Sequence, residues 1–466
     1  MDLQQQHLDT LLLAALRAAP RRYRLPPLPA SAEAAAAGGT EAALAFAMEA
    51  ARLEKARHLP PPAHLQALFT RALAQLIREA LAPERGDPAF QAAMLQAQDA
   101  AVHEHVQLSR QHAADRRTVR MAVDAIAHPG KLRRELPGTA RDAMARLHGL
   151  AAAGSWTELA RTIEQVLGQE SSVRAHLQAP LKAILSSPAL QQLARGSELL
   201  GFDSVQRYNA LCERRGPLAG SHAAAAEGRA SAQQGQVAEH AAVEAFRKIA
   251  QLLNRHPKGA APTYRVARGL RTPGGFPGEA NKAKEEWDAA IVRGESGEAA
   301  AAADLVLLAE TKASPASATS DFPRLLRGLR RLAQASAKET YAFASADGEQ
   351  RIFGASLQGL RPIGRMLPPQ VIYCCSAPPE ASPQPLGAAT RAVLLAEPAS
   401  LAFAQQLARG EAPSHDALAP AWNALATAPR LQAALHQYET AQKARAAMLH
   451  PDDLLASVVQ CLRRQS

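Results

Sequence analysis

Apolar residues along the first half of the chain recur at helical spacing. Leu65 to Ala82, Ala89 to Ala113, Thr139 to Ala153, Trp156 to Leu167 and Ala189 to Leu200 each place them at i, i+3, i+4 and i+7. Prolines such as Pro20, Pro83, Pro88, Pro129 and Pro188 separate these stretches. The Pro-, Ala- and Gly-rich residues 25–41 read as a surface loop. Gly216 to Gly235 has few large apolar residues and marks a domain boundary.

Beyond it the pattern changes. Ala241 to Asn254 is an amphipathic helix with Val243, Phe246, Ile249, Ala250 and Leu253 on one face. Tyr264 to Leu270 reads as a strand, Thr272 to Gly278 as a Gly/Pro loop and Glu286 to Val292 as a second strand. A small-residue stretch, Glu295 to Ala303, leads into a third strand, Ala302 to Lys312. A helix follows from Asp321 to Ala337, with Asp321 as its N-cap and Pro323 in its first turn. Val371 to Cys375 is a short buried strand, and 351–357 and 392–396 are further strand candidates. The chain is helical again from Ala399. The expected domains are 1–232, mostly α; 236–400, α/β with a mixed sheet; and 401–466, helices packing on the α/β domain.

The third strand carries the most informative pattern. Simple alternation puts Leu305, Leu307 and Ala309 on one face, and Val306 and Leu308 on the other. Glu310 and Lys312 then project together from its end. Charges at the end of a buried strand are paired, hold a metal or do chemistry. Asp288 lies 22 positions before Glu310, on the preceding strand. The bland alternative is a surface ion pair between Glu310 and Lys312 worth ~0–1 kcal/mol, with Asp288 in water. Asp304 is too far from Glu310, ~20 Å along an extended strand, to share an ion with it.

Composition narrows the classes. The net charge of +10 suits a polyanionic partner. The four cysteines, Cys212, Cys374, Cys375 and Cys461, form no C-x-x-C pair, which fits a reducing compartment and no structural zinc. No apolar run is long enough to span a bilayer, and no signal peptide is evident, so the expectation is a cytoplasmic, bacterial-type protein without a membrane partner. There is no phosphate-loop motif for a nucleotide and no H-E-x-x-H zinc helix.

Phosphodiester hydrolysis needs an activated water and charge stabilisation at phosphorus. A Mg²⁺ or Mn²⁺ ion held by one or two carboxylates supplies both. Asp288, Glu310 and Lys312 offer those residue types in that order, and the chain between about 240 and 400 resembles the PD-(D/E)XK nucleases, the restriction-endonuclease-like superfamily. That resemblance implies a core of helix, three-stranded meander, helix and strand. It implies Asp288, Glu310 and the Thr311 backbone carbonyl as metal ligands, Lys312 as the residue that positions or activates water, and Glu244 as the helical acid found in many members. The expected activity is Mg²⁺-dependent endonucleolytic cleavage, of DNA in preference to RNA. Arg324, Arg327 and Arg331, at i, i+3 and i+7 on the next helix, are the expected phosphate contacts. Residues 1–232 would bind nucleic acid, a partner protein or another copy. Two alternatives stand beside this: a non-catalytic nucleic-acid- or protein-binding module with a nuclease-like fold, and an exported nuclease toxin.

Overall fold

The computed structural model describes residues 3–133, 138–168, 175–216, 222–255, 263–294 and 302–464. The chain is mostly helical, with a seven-stranded mixed sheet. No described helix is long and apolar enough to cross a membrane. Two units form. One holds residues 1–76, 225–400 and 414–466; the other holds 77–224 and 401–413. The expected boundaries at 232 and 400 therefore give way to an interleaved division. Residues 1–76 belong with the sheet, not with the helical unit. The cause is apolar burial: Leu11, Leu12 and Leu16 of helix Leu3–Ala18 enter the same core as Phe246 and Ile249. Residues 217–221 of the expected boundary and 295–301 of the expected small-residue stretch lie outside the described residues.

In the helical unit, Ala100–Ala127, Thr139–Ala153, Trp156–Gly168 and Pro188–Leu199 enclose a core of Val123, Leu147, Trp156, Ile163 and Leu193. The single helix expected over Ala89 to Ala113 is divided. Asp99 ends helix Pro88–Gln98, and its side chain caps the next by accepting from the Val102 amide at 2.9 Å.

The sheet unit contains β1 (Thr263–Arg271), β2 (Glu286–Gly294), β3 (Ala303–Thr311), β4 (Thr340–Phe343), β5 (Gln350–Phe353), β6 (Val371–Cys374) and β7 (Met448–Leu449). β1, β2 and β3 form an antiparallel meander. The outer edge of β3 is shared: its start pairs with β5 and its end, Leu308 to Thr311, pairs in parallel with β6. β4 and β5 form a hairpin. Residues 351–357 thus split between β5 and the short helix Gly354–Gln358. Residues 392–396 are not a strand but the end of helix Ala388–Leu395 and its cap, Ala396. Five residues are too few for periodicity to separate the two.

Helices cover both faces. Leu3–Ala18, His222–Arg255 and Pro451–Arg463 share one core with Ile291, Leu307 and Ala309. Ser317–Leu332 covers the opposite face, where Phe322, Leu325 and Leu329 pack with Trp287, Leu308 and Tyr373. A β-bulge corrects the alternation expected along β3. Ile291 pairs with Leu307 and Val292 with Leu305, which leaves Val306 as the extra residue. Leu305 therefore joins Leu308 in one core while Leu307 and Ala309 enter the other.

Helix Ser317–Leu332 starts earlier than expected, with Ala316 as its cap, so Asp321 and Pro323 lie inside it. It passes close over the segment that leads into β2. A Cβ on Gly328 would stand 2.8 Å from the Lys284 carbonyl and 2.9 Å from the Trp287 ring. Gly328→Ala is expected to destabilise the protein by about 1–3 kcal/mol, as overpacking does. Denaturant melts of the two proteins measure this, and coincident curves would refute the close approach.

Candidate active site

β2 and β3 pair from Gly294↔Ala303 as far as Ala289↔Ala309 and then part. Asp288 and Thr311 face each other across the opening. The Asp288 carboxylate replaces the missing ladder by accepting from the Thr311 amide at 2.7 Å and the Thr311 hydroxyl at 2.8 Å. The amide and carbonyl of one strand residue point to the same side. The Thr311 carbonyl therefore also faces β2.

The other edge of β3 stays fixed. Glu310 pairs with Tyr373 and Thr311 with Cys374, and the Lys312 amide donates to the Cys374 carbonyl at 2.8 Å. This parallel ladder holds Glu310 in the interior, where it is 3% exposed. One carboxylate oxygen accepts from Lys284 Nζ at 2.6 Å and Lys312 Nζ at 2.8 Å. The other, Oε2, is buried with no hydrogen-bond partner. Burial, and after it the charge of Asp288, push the Glu310 carboxyl up to about 7 against the pull of the two lysines.

Lys312 reaches a second acid, Asp321 Oδ2, at 3.2 Å, and the Tyr373 hydroxyl donates to the same oxygen at 3.3 Å. Burial works to lower the Lys312 pKa. Glu310 and Asp321 outweigh it and hold the group above its ordinary value. Lys312 is therefore an ammonium in this state, suited to orienting a water or a phosphate oxygen rather than to taking up a proton.

Sequence reasoning brought Asp288, Glu310, Thr311 and Lys312 to one place but misassigned their surroundings. Glu244 is bonded to Arg247 at 2.5 Å, one turn further along its own helix. The helical acid that feels Asp288 is Glu239, raised first by burial and then by that charge. Glu239 continues the stripe of Ala242, Val243, Phe246 and Ile249, a phase that Glu244 does not share. Asp321 is an ion-pair partner inside its helix, not an N-cap. Lys284 had no signal beyond standing four residues before Asp288; a lysine in a polar loop reads as solvated.

The expected basic stripe is also corrected. Arg331 is buried: it bonds Glu285 at 2.6 Å and lies over the Phe276 ring at 5.9 Å. Helix packing, not nucleic acid, occupies it. Arg324, Arg327 and Arg330 are exposed instead. Asp304 sits at the far end of β3, in a network with Arg293 and Asp9.

Among the described residues, no three His, Cys, Asp or Glu side chains gather closely enough to hold a metal by themselves. Mg²⁺ does not demand three, because it binds through one or two carboxylates and keeps several waters. The unpartnered Glu310 Oε2, the neighbouring Asp288 charge and the Thr311 carbonyl fit such an ion. Comparisons with protein-family models, curated proteins and solved structures found no match for this chain.

The raised Glu310 carboxyl has a consequence for stability. Its folded pKa, about 7, exceeds the ordinary 4.5. Between those values the folded chain holds a proton that the unfolded chain has lost. The contribution is full below about 4.5 and is lost as pH rises through about 7. Glu310→Gln should flatten that part of the stability–pH profile of the metal-free protein. Parallel profiles for the two proteins would contradict the shift.

Proposed function

We propose that this protein is a metal-dependent phosphodiester hydrolase acting on DNA, with a catalytic unit like that of the PD-(D/E)XK nucleases. One observation carries the reading: a buried carboxylate oxygen of Glu310 with no partner, next to Asp288, where β2 and β3 part. The order of elements supports it: a long helix, an antiparallel meander, a helix, and a strand pairing in parallel with the third. Asp288, Glu310 and the Thr311 carbonyl would hold Mg²⁺ or Mn²⁺, which supplies Lewis acidity and a more acidic bound water. Lys312, held by Glu310 and Asp321, orients the water or a phosphate oxygen. Glu239 adds negative charge from the helix side.

The test is conversion of supercoiled plasmid to nicked and linear forms by the full chain in Mg²⁺ or Mn²⁺, with EDTA as control. Cleavage that persists in EDTA, or none in either metal, contradicts the proposal. A second reading, a binding module without cleavage, draws on Lys284, which already occupies one Glu310 oxygen at 2.6 Å. Duplex binding without hydrolysis under the same conditions would select it.

A further inference from the structure

The turn Ile363–Met366 presents two large apolar side chains to solvent, with Ile363 83% and Met366 64% exposed. They are the two most exposed among the large apolar residues of the sheet unit's described part. The turn is closed by the Met366 amide donating to the Ile363 carbonyl at 2.9 Å. Gly364 takes φ +61°, which a side chain would strain.

The turn is held on both sides. Arg330 donates to the Gly364 carbonyl at 2.8 Å, and Arg365 donates to the Thr440 hydroxyl. Leu360, Pro362 and Pro368 are buried beside it. The apolar pair is thus projected by a braced loop, a poor arrangement for hiding apolar surface and a suitable one for inserting it.

Its surroundings identify the occupant. Arg324, Arg327 and Arg330 are exposed at i, i+3 and i+6 along one helix, and exposed Arg361 adjoins the turn. Arg327 and Arg361 donate to backbone carbonyls, those of Lys282 and Ala333. Among the described residues no carboxylate pairs with any of these four arginines. The stripe starts one turn from Asp321, which touches Lys312, and reaches the turn nine residues on, about 14 Å along the helix. Unneutralised arginines next to exposed Ile and Met match the surface that proteins use to hold phosphates and part a base step.

We infer that Ile363 and Met366 form a wedge that inserts between base pairs of duplex DNA while Arg324, Arg327 and Arg330 hold the adjoining phosphates. This rests on the proposed action on DNA and adds to it that the duplex is locally unstacked and kinked beside the scissile site.

The test uses full-length protein in EDTA and duplexes carrying 2-aminopurine at successive positions. Wild type should raise the fluorescence several-fold at one step. Ile363→Ser/Met366→Ser should abolish the rise and weaken binding by about tenfold, and its unchanged melting temperature would show that the fold is intact. Arg324→Ala/Arg327→Ala should lower affinity and shallow its salt dependence. A wild type that leaves the probe quenched, or a serine variant that unstacks as wild type does, overturns the wedge. Since no metal is present, the two proposals fail separately: unstacking without cleavage on adding Mn²⁺ keeps the wedge and sinks the hydrolase, whereas cleavage with a quenched probe does the reverse.

Discussion

Glu310→Gln is expected to lower metal-dependent cleavage about 10³-fold or more and to leave the protein folded. The substitution keeps the shape of the side chain and an oxygen for Lys284 and Lys312. It removes the charge that would hold the ion, and the loss of a metal's several kcal/mol of transition-state stabilisation corresponds to a factor of that order. The variant should stay folded at some cost in stability, since Lys284 loses its counter-charge. The cost is limited because Glu310, with its carboxyl at about 7, is already close to half neutral near neutral pH. Single-turnover cleavage of a plasmid, with a thermal melt as control, measures both effects. A variant that cuts at the wild-type rate would remove Glu310 from the chemistry.

Lys284→Met should have the largest effect on stability. The Lys284–Glu310 pair is closed to solvent, with side chains 7% and 4% exposed. Removing one member of such a pair costs about 3–5 kcal/mol where it leaves a buried charge uncompensated. Lys312 stays bonded to Glu310, so the cost here should lie at the low end of that range. The cost should depend on pH. Without Lys284 the Glu310 carboxyl has one lysine fewer to hold it ionised, so its folded pKa rises further above 4.5. The penalty is then small at pH 5, where the carboxyl is protonated, and full at pH 8.5. Glu310→Gln should relieve it in the double variant, a coupling that a double-mutant cycle reads directly. Equal destabilisation at both pH values, or additive single effects, would mean that Lys284 acts by packing alone.

The sheet was legible in the sequence because it is buried on both faces. β1, β2, β3 and β6 stand within about two residues of their expected positions. In β2, β3 and β6 continuous apolar runs bounded by Gly, Pro and charge leave little choice, while β1, half-buried and carrying Arg265 and Arg268, has a mixed pattern. Asp288 and Glu310 stood out as charges on these strands, and Lys312 as the residue that follows the end of β3. What escaped depends on three dimensions. The bulge at Val306 is set by the register against β2. Lys284 reaches Glu310 from a loop that only Gly328 allows to approach. Glu239 and Glu244 differ by five residues of one helix, and the phase against the sheet decides between them. Arg331 shows the opposite error: a basic stripe read from spacing alone includes a residue that the packing of Phe276 and Glu285 turns inward.

Asp288 and Glu310 are proposed to share a divalent cation. Titrating the full chain with Mn²⁺ and following the electron paramagnetic resonance signal of the free ion tests it without any substrate. The wild type is expected to show a saturable site that weakens at least about tenfold in both Asp288→Asn and Glu310→Gln, and is unaffected in Glu244→Gln. Equal Mn²⁺ uptake by wild type, Asp288→Asn and Glu310→Gln, or none by the wild type, would contradict it.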